Sequence, residues 1–402
     1  MTAALFAALF WVCAFLIVYH HVGYPVLLRA LARRRRRRGG ERASAEPPAP
    51  DRLPSVTVIV PAHNEAAVIE AKIANLAALA YPPDRLSVLL ALDGCTDETR
   101  AIAQAALARL SVGPAWRIVE YASNIGKVAV LNEQIGKATS DIVALSDASA
   151  LVEPDALIRA AAHFADRGVG VVCGTYRLAA GSEGERAYWA YQTRVKADEA
   201  ALAAPMGAHG AFYLFRRGLW SPLPADTIND DFILPMRIVL QGYRSVYDPS
   251  IVATELERSQ TKHEFRRRVR IGAGNLQQVL RLAGLGDPRR GGLAFLFLSG
   301  KALRAVMPFI VIVALAATAL LALNGSGIYR LLLAGEAILL GLALAGLIVG
   351  RAALPRPLAW LSYLVLGYAA AAVGSLLLLT GREKKVWWLS TAEKAAAAKS
   401  AG

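Results

Sequence analysis

The sequence has very few cysteines, and their spacing argues against a role in cross-links or metal binding. Its 402 residues contain three, Cys13, Cys95 and Cys173. These residues match no metal-binding motif and no disulfide framework. The cysteines therefore fit a reducing, cytoplasmic environment, and we assign them no chemistry.

Basic residues are absent ahead of the first hydrophobic segment, Ala3–Leu28. A cleaved signal peptide carries its positive charge at the start and has a shorter apolar stretch. Here the charge follows the segment, as an unbroken run at Arg33–Arg38. Because positive charge is retained on the cytoplasmic side of a membrane, we predict an uncleaved anchor with its N-terminus outside and the arginines in the cytoplasm.

Over its whole length the chain has 55% hydrophobic residues and a mean hydropathy of +0.39. Its other long apolar runs are confined to the C-terminal part. Three runs are long enough to cross a hydrocarbon core of about 30 Å. They are Val306–Leu323, Leu331–Val349 and Leu358–Leu379, and Glu336 is their only charged residue. The preceding Leu293–Ala305 reads as an interfacial helix. The tail beyond residue 381 is basic, which favours a cytoplasmic C-terminus, whereas three crossings would place it outside. We therefore predict a multi-pass protein of the cell membrane with two or three C-terminal crossings.

Positive charge exceeds negative charge by 14, with 45 Lys and Arg against 31 Asp and Glu. Much of the excess comes from the arginine run beside the anchor, which suits anionic lipid head groups. No aromatic or Gly-rich stretch accompanies the basic residues, so nucleic-acid binding is not predicted. The charge balance therefore indicates a membrane partner and no nucleic acid.

Between the hydrophobic segments, strand-like and helix-like patterns alternate. Val56–Val60 and Ser87–Leu92 are short apolar runs, and the segment between them has helical spacing of its apolar residues. This order predicts an α/β fold with a mostly parallel, Rossmann-like sheet, an N-terminal transmembrane anchor and C-terminal transmembrane helices. The predicted parts are the anchor (1–32), a basic and Pro-rich linker (33–54), the α/β domain (55–257), amphipathic or interfacial helices (258–305), transmembrane helices (306–381) and a basic tail (382–402).

Short polar motifs run through the α/β domain in a fixed order. They read VPAHNE (60–65), LDGCTDET (92–99), NIGK (124–127), LSDAS (145–149), GAHG (207–210) and INDDF (228–232). Most of them follow a predicted strand, and open α/β sheets bind ligands at the carboxyl ends of their strands. Over about residues 55–275 the series resembles the inverting glycosyltransferases of family 2. The resemblance implies a GT-A type catalytic domain over residues 55–257, a nucleotide-diphospho-sugar donor with a UDP-sugar as first expectation, and a lipid-linked or other glycan acceptor near the membrane.

The resemblance also assigns residues to the nucleotide. Asn64 and Glu65 match the motif that covers the nucleotide after the first strand. Asp93 matches the acid that reads the base, since an ionised carboxylate accepts from an imide N–H. Lys127 follows a glycine and is positioned for a phosphate or for Asp147.

The expected metal site is incomplete. Family members generally carry Asp-x-Asp after the fourth strand, where a divalent metal bridges carboxylate and phosphates. This chain has Asp147-Ala148-Ser149, so the second carboxylate is missing. A hard cation such as Mg²⁺ or Mn²⁺ can still bind, because it keeps water and phosphate oxygens in its coordination shell. We therefore expect Asp147 to contact both the metal and the donor diphosphate.

The general base is expected at Asp231. The family places this carboxylate ahead of an Arg and a Gly-aromatic pair, which here are Arg237 and Gly242-Tyr243. The adjacent Asp230 adds like charge, which would raise the pKa of the base. On the acceptor side, the glycines of GAHG admit a sugar or lipid head group, with His209 and Gly210 as the expected contacts.

A tryptophan that marks processive members is absent. Those enzymes end the domain with Gln-x-x-Arg-Trp, and the corresponding stretch here is Arg267–Ile271. Its Arg survives as Arg270, which is expected to meet the diphosphate. Isoleucine offers no flat face on which a sugar can stack, so the sequence favours transfer of a single sugar. A processive polysaccharide synthase and a catalytically silent scaffold subunit remain the alternatives.

Overall fold

The structure is a computed structural model that describes residues 2–39, 49, 52–110, 115–180, 183–256, 264–349 and 355–382. The chain forms two compact units. The sheet unit comprises residues 28–259 and 289–293, and the helical unit comprises residues 1–27, 260–288 and 294–402. The predicted basic tail beyond Arg382 and most of the predicted Pro-rich linker lie outside the described residues.

A single mixed sheet of eight strands runs through the described part of the sheet unit, in the order β3-β2-β1-β4-β7-β6-β8-β5. The strands are β1 (Val56–Ala62), β2 (Leu86–Asp93), β3 (Trp116–Tyr121), β4 (Ile142–Ser146), β5 (Ala150–Val152), β6 (Val169–Leu178), β7 (Phe212–Arg216) and β8 (Arg244–Glu255). Strands β3, β2, β1 and β4 are mutually parallel, whereas β7 is antiparallel to β4 and β6. The predicted α/β class with a largely parallel sheet is confirmed, and the antiparallel β7 is an addition that the patterns did not reveal.

The helices of the described residues follow the predicted alternation. They are α1 (Thr2–Val18), α2 (Tyr24–Arg37), α3 (Ile69–Ala77), α4 (Thr99–Leu110), α5 (Lys127–Lys137), α6 (Ala156–Phe164), α7 (Glu183–Leu202), α8 (Asp230–Leu240), α9 (Glu264–Arg281), α10 (Gly292–Phe295), α11 (Leu303–Leu323), α12 (Gly327–Val349) and α13 (Arg356–Leu379). Two π-helical stretches, Tyr19–Gly23 and Leu296–Ala302, join α1 to α2 and α10 to α11.

The core of the sheet unit is built between the parallel strands and α3. Val58 and Val60 of β1 are fully buried, as are Ile69 and Ile73, which lie one turn apart on α3. Because β1, β2 and β4 are parallel and in register, their carboxyl ends reach the same edge of the sheet. The polar motifs that follow β1, β2 and β4 therefore emerge together at this edge.

The first predicted helix is shorter than the sequence suggested. Its apolar spacing predicts a helix from Glu65 to Leu79, but α3 begins at Ile69. The intervening residues form a turn in which the Glu65 backbone N–H donates to the Thr99 hydroxyl at 2.7 Å. A side chain from a distant motif thus ties this turn to the second motif.

Four helices in the described part of the chain are long and apolar enough to cross a membrane: Ala3–Arg37, Gly292–Leu323, Gly327–Ile348 and Pro357–Leu379. The predicted N-terminal anchor and C-terminal transmembrane helices are therefore present. The first helix continues through Arg37, into the segment predicted as linker, because arginine is a good helix former. Leu293–Ala305 leads into α11 without a break, and its place at the membrane interface stays a prediction.

Candidate functional site

Asp93 ends β2 at the sheet edge, and its carboxylate holds the loop that leads into α5. One carboxylate oxygen accepts the Ile125 N–H at 2.7 Å and the other accepts the Gly126 N–H at 2.9 Å. The side chain is almost fully buried. Gly94 follows with φ +61°, and a Cβ at this position would lie 2.2 Å from the Asn124 nitrogen. Each carboxylate oxygen thus accepts one backbone amide, and the reading of a base by Asp93 stays a prediction.

The first motif is tied to the second in the same manner. Asn64 has a left-handed φ of 56°. Its side-chain carbonyl accepts the Thr96 N–H at 2.8 Å, and its amide donates to the Thr96 hydroxyl at 3.2 Å. The ring of His63 lies 2.6 Å from the carbonyl oxygen of Asp93. Asn64 and Glu65 therefore lie beside the Asp93 turn, and their contact with a nucleotide stays a prediction.

Lys127 begins α5 and brings carboxylates from two distant motifs together. Its Nζ donates to Asp147 Oδ1 at 2.9 Å and lies 3.6 Å from Asp230 Oδ2. Burial lowers the pKa of this ammonium, but attraction to Asp147, Asp230 and Asp231 outweighs that effect and raises the pKa above its usual value. Of the two partners that the sequence left open for Lys127, the structure shows Asp147.

Gly210 lies between the carboxylates of Asp147 and Asp231. Its N–H donates to Asp231 Oδ2 at 3.1 Å. A Cβ at Gly210 would lie 3.1 Å from Asp147 Oδ2 and 3.6 Å from Asp231 Oδ2. The absence of a side chain therefore leaves room for a ligand that contacts both carboxylates.

Asp231 lies in the first turn of α8 and has a strongly altered acidity. Burial, together with the neighbouring charges of Asp230 and Asp147, raises its pKa to about 6 against the opposing effect of Lys127 and Lys196. Such a group is mostly ionised at neutral pH but retains more basicity than an ordinary carboxylate. This is the behaviour expected of a general base.

His209 belongs to an aromatic wall beside the carboxylates. Its ring stacks on Tyr176 with a centroid separation of 3.9 Å and meets the edge of Trp189 at 5.3 Å. Its Nδ1 accepts the Ala211 N–H at 3.3 Å. Tyr176, Trp189, Lys196 and His209 line a small cleft. Sequence reasoning identified His209 but missed Tyr176, because an aromatic residue in a strand usually reads as core.

Sequence reasoning also missed Lys72, which is fully buried on α3. Its Nζ donates to Ser146 Oγ at 2.6 Å and to the Ala150 carbonyl at 2.5 Å. Burial lowers its pKa to about 7, although attraction to Asp147 and Glu255 acts in the opposite direction. A lysine within an amphipathic helix normally indicates a solvated face, so no local signal could have revealed it.

Asp147 provides an oxygen donor that suits a hard divalent cation. Its Oδ2 faces the space left by Gly210. Among the described residues, no group of three or more His, Cys, Asp or Glu is arranged to hold a metal. The donor set therefore fits a cation that takes most of its ligands from water and a bound phosphate. Arg270 lies on α9 in the helical unit, so its role at the diphosphate stays a prediction.

Comparison with known proteins identifies relatives of this arrangement. A family model described as glycosyltransferase like family 2 matches residues 54–274. The chain is 26% identical over 243 residues to the poly-beta-1,6-N-acetyl-D-glucosamine synthase of Staphylococcus aureus (strain COL), covering 58% of this chain and 57% of the synthase. It is 24% identical over 258 residues to an N-acetylglucosaminyltransferase of Mesorhizobium japonicum, covering 59% of each. The chain thus spans little more than half the length of these curated relatives.

A solved structure is similar over almost the whole chain. The mannosyltransferase PcManGT from Pyrobaculum calidifontis, in complex with GDP-Man and Mn²⁺, is 27% identical. The similarity covers 92% of this chain and 99% of the mannosyltransferase, with a TM-score of 0.69. This neighbour therefore resembles the sheet together with the long apolar helices.

Proposed function

Since this chain belongs to glycosyltransferase-like family 2, whose model matches more than half of it, we propose an inverting reaction that adds one sugar to a membrane-proximal acceptor. The donor is a nucleotide-diphospho-sugar, and the acceptor is a hydroxyl of a lipid-linked or other glycan. The single observation that carries this proposal is the pair of carboxylates, Asp147 and Asp231, on either side of Gly210. Against the alternative of a silent scaffold subunit stands the retention of Asp93, Asp147 and Asp231 together.

The proposed reaction is a one-step displacement. The acceptor oxygen attacks the anomeric carbon while Asp231 removes the hydroxyl proton. The bond between the anomeric carbon and the diphosphate oxygen breaks, and its electron pair leaves with the nucleoside diphosphate. Attack from the face opposite the leaving group inverts the anomeric centre. A pKa of about 6 suits Asp231 to this task, because the carboxylate is ionised at neutral pH yet basic enough to share the proton in the transition state.

Lys127 would offset charge on the diphosphate, and Asp147 would hold a divalent cation, Mg²⁺ or Mn²⁺, beside it. The cation, when bound, neutralises charge that develops on the leaving diphosphate. Lys127 is already held by Asp147 at 2.9 Å, so its ammonium lies beside the proposed phosphate position. The complex of the Pyrobaculum mannosyltransferase with Mn²⁺ supports this assignment.

The remaining residues shape the two substrate subsites. We assign Asn64, Glu65 and Asp93 to the nucleotide side as residues that form its walls, and Arg270 to the diphosphate. His209 and Gly210 are assigned to the acceptor, where the stacked rings of His209 and Tyr176 offer a surface for a sugar. A UDP-sugar remains the first expectation for the donor, with the named N-acetylglucosamine relatives in support and GDP-mannose as the competing choice.

A second candidate function is processive polymer synthesis. It is favoured by one relative, which is named as a polysaccharide synthase. Against it stands Ile271, at the position where processive members carry the stacking tryptophan.

Product length separates these two functions. We expect the purified full-length protein, given a defined glycan acceptor and an excess of UDP-N-acetylglucosamine or GDP-mannose, to add one sugar and then stop. Mass spectrometry of the product measures this directly. A ladder of many additions would establish the synthase instead, and the absence of nucleoside diphosphate release from every nucleotide sugar in a broad screen would reject both.

Asp231→Asn should abolish transfer and stabilise the fold. Loss of a general base typically lowers the rate about 10²–10⁴-fold, and wild-type kcat/KM should fall as pH drops below about 6. The pKa of Asp231 in the folded protein exceeds the ordinary value of 3.8, so the ionised carboxylate destabilises the fold. This destabilisation is complete above about pH 6 and absent below the pKa of the unfolded chain. We therefore expect a higher Tm for the variant at neutral pH. Asp84→Asn, at a side chain that is 79% exposed, is the control, and near-normal turnover of Asp231→Asn would disprove the assignment.

The metal assignment predicts a response at Ser149. Chelation of divalent ions should stop wild-type turnover, and Asp147→Ala should weaken binding of nucleoside diphosphate with Mn²⁺. Ser149→Asp restores the second carboxylate of the family motif, so it should lower the Mn²⁺ concentration that gives half-maximal activity. Metal titration of turnover checks both variants. Undiminished activity in the presence of chelator would contradict a metal on Asp147.

The membrane topology also follows as a proposal. Positive charge at Arg33–Arg38 puts the sheet unit in the cytoplasm. With three C-terminal crossings, the turn after α11 and the C-terminus both lie outside. We expect a reporter inserted at residues 324–326 to give a periplasmic signal. A fusion to the C-terminus then decides the count, because a periplasmic signal means three C-terminal crossings and a cytoplasmic signal means two.

A further inference from the structure

The amine of Lys72 is clamped to both ends of the turn that carries Asp147. The side chain extends from α3 and is fully buried. One of its acceptors, Ser146 Oγ at 2.6 Å, belongs to the last residue of β4, and the other, the Ala150 carbonyl at 2.5 Å, belongs to the first residue of β5. Only Asp147, Ala148 and Ser149 lie between these two points, so a single ammonium bridges the ends of the turn.

The same contacts extend to the segment that carries Gly210. The Ser146 hydroxyl donates to the Ala211 carbonyl at 2.9 Å. The Asp147 backbone N–H donates to the same carbonyl at 3.3 Å. Lys72 therefore supports, through Ser146, the two chain segments that form the space between the carboxylates.

Stability alone gives a poor account of a lysine at this position. Removing an amine from water costs free energy even when it finds hydrogen-bond acceptors, and an apolar side chain of similar volume is often neutral or stabilising at such a site. The neighbouring residues of α3 that face inward, Ile69, Ile73 and Leu76, are apolar. A further apolar residue at position 72 would continue the pattern.

We propose that Lys72 is a positioning residue that fixes the Asp147–Ser149 turn, and with it the aspartate that holds the donor diphosphate and its cation. The proposal rests on the function proposed for Asp147. With only one carboxylate in the motif, the orientation of Asp147 depends on how firmly its turn is held. Lys72 holds that turn from beneath the sheet edge, out of contact with solvent.

Asn75 provides a matched control on the same helix. It lies three residues after Lys72 and bonds to the same strand, donating to the Val152 carbonyl at 2.7 Å and accepting the Val152 N–H at 2.9 Å. Its contacts lie beyond the Asp147 turn. Asn75→Ala therefore removes hydrogen bonds between α3 and β5 without touching the clamp.

The experiment compares Lys72→Met with Asn75→Ala in the full-length protein, using donor kinetics, Mn²⁺ titration and Tm. Loss of a residue that orients a metal ligand typically costs about 10–100-fold in metal affinity or activity. We expect Lys72→Met to raise the donor KM and the half-maximal Mn²⁺ concentration by such a factor, with a Tm close to that of the wild type. Asn75→Ala should lower the Tm and leave the donor KM within about threefold. Wild-type kinetics for Lys72→Met, or a Tm loss that parallels its activity loss, would overturn the proposal.

Amide hydrogen exchange gives a readout that does not require turnover. In Lys72→Met the Asp147 and Ala150 amides should exchange at least tenfold faster, whereas in Asn75→Ala the change should centre on Val152. If Lys72→Met does not fold, Ser146→Ala replaces it as a smaller change. We expect Ser146→Ala to speed exchange at the same amides to a lesser degree. Unchanged exchange at Asp147 overturns the proposal. Faster exchange in a protein whose wild type turns over no nucleotide sugar upholds the clamp and rejects the proposed function.

Discussion

The site depends on how the ammonium of Lys127 offsets part of the charge of three carboxylates at a sheet edge. Asp147 comes from the end of β4, and Asp230 and Asp231 come from the start of α8, so the three negative charges converge only in the folded chain. Lys127 lies among them, at 2.9 Å from Asp147 and 3.6 Å from Asp230. Without this cation the like charges would repel one another within a partly buried space. With it, one negative charge of the group is offset, and burial together with the remaining charge keeps the pKa of Asp231 raised.

The antiparallel strand β7 makes this convergence possible. It pairs with β4, and this pairing brings the segment that precedes it, with His209 and Gly210, beside Asp147. The Ala208 N–H donates to the Asp231 carbonyl at 2.8 Å, so the same segment also holds the first turn of α8. A glycine at position 210 then keeps the space between the carboxylates open. Backbone pairing thus sets the distance between the two acids, and the missing Cβ sets what fits between them.

Buried contacts hold the turns that carry the polar motifs. Lys72 bonds to both ends of the turn that contains Asp147 and Ser149. Asp93 is bound to the backbone of the loop before α5, which fixes the position of Lys127 at the start of that helix. These contacts connect the polar motifs to one another. Asp93 thereby influences the position of Lys127, and Lys72 influences the position of Asp147.

The sequence alone determined the elements whose signals are local. Short apolar runs identified β1 and β2, because side-chain patterning is a property of neighbouring residues. Hydrophobic length identified the apolar helices for the same reason. The resemblance to a family, carried by short motifs, named Asp147, Asp231 and Lys127, which the fold brings together.

Only the tertiary structure decided the rest. The antiparallel placement of β7, the use of Asp93 and Asn64 as loop supports, and the burial of Lys72 all arise from contacts between residues that are 30 or more positions apart in the chain. Nothing in the sequence around Lys72 distinguishes it from a solvated lysine on an amphipathic helix. Its role arises from the acceptors that β4 and β5 present to it, and those acceptors are backbone and hydroxyl oxygens whose position is a property of the fold.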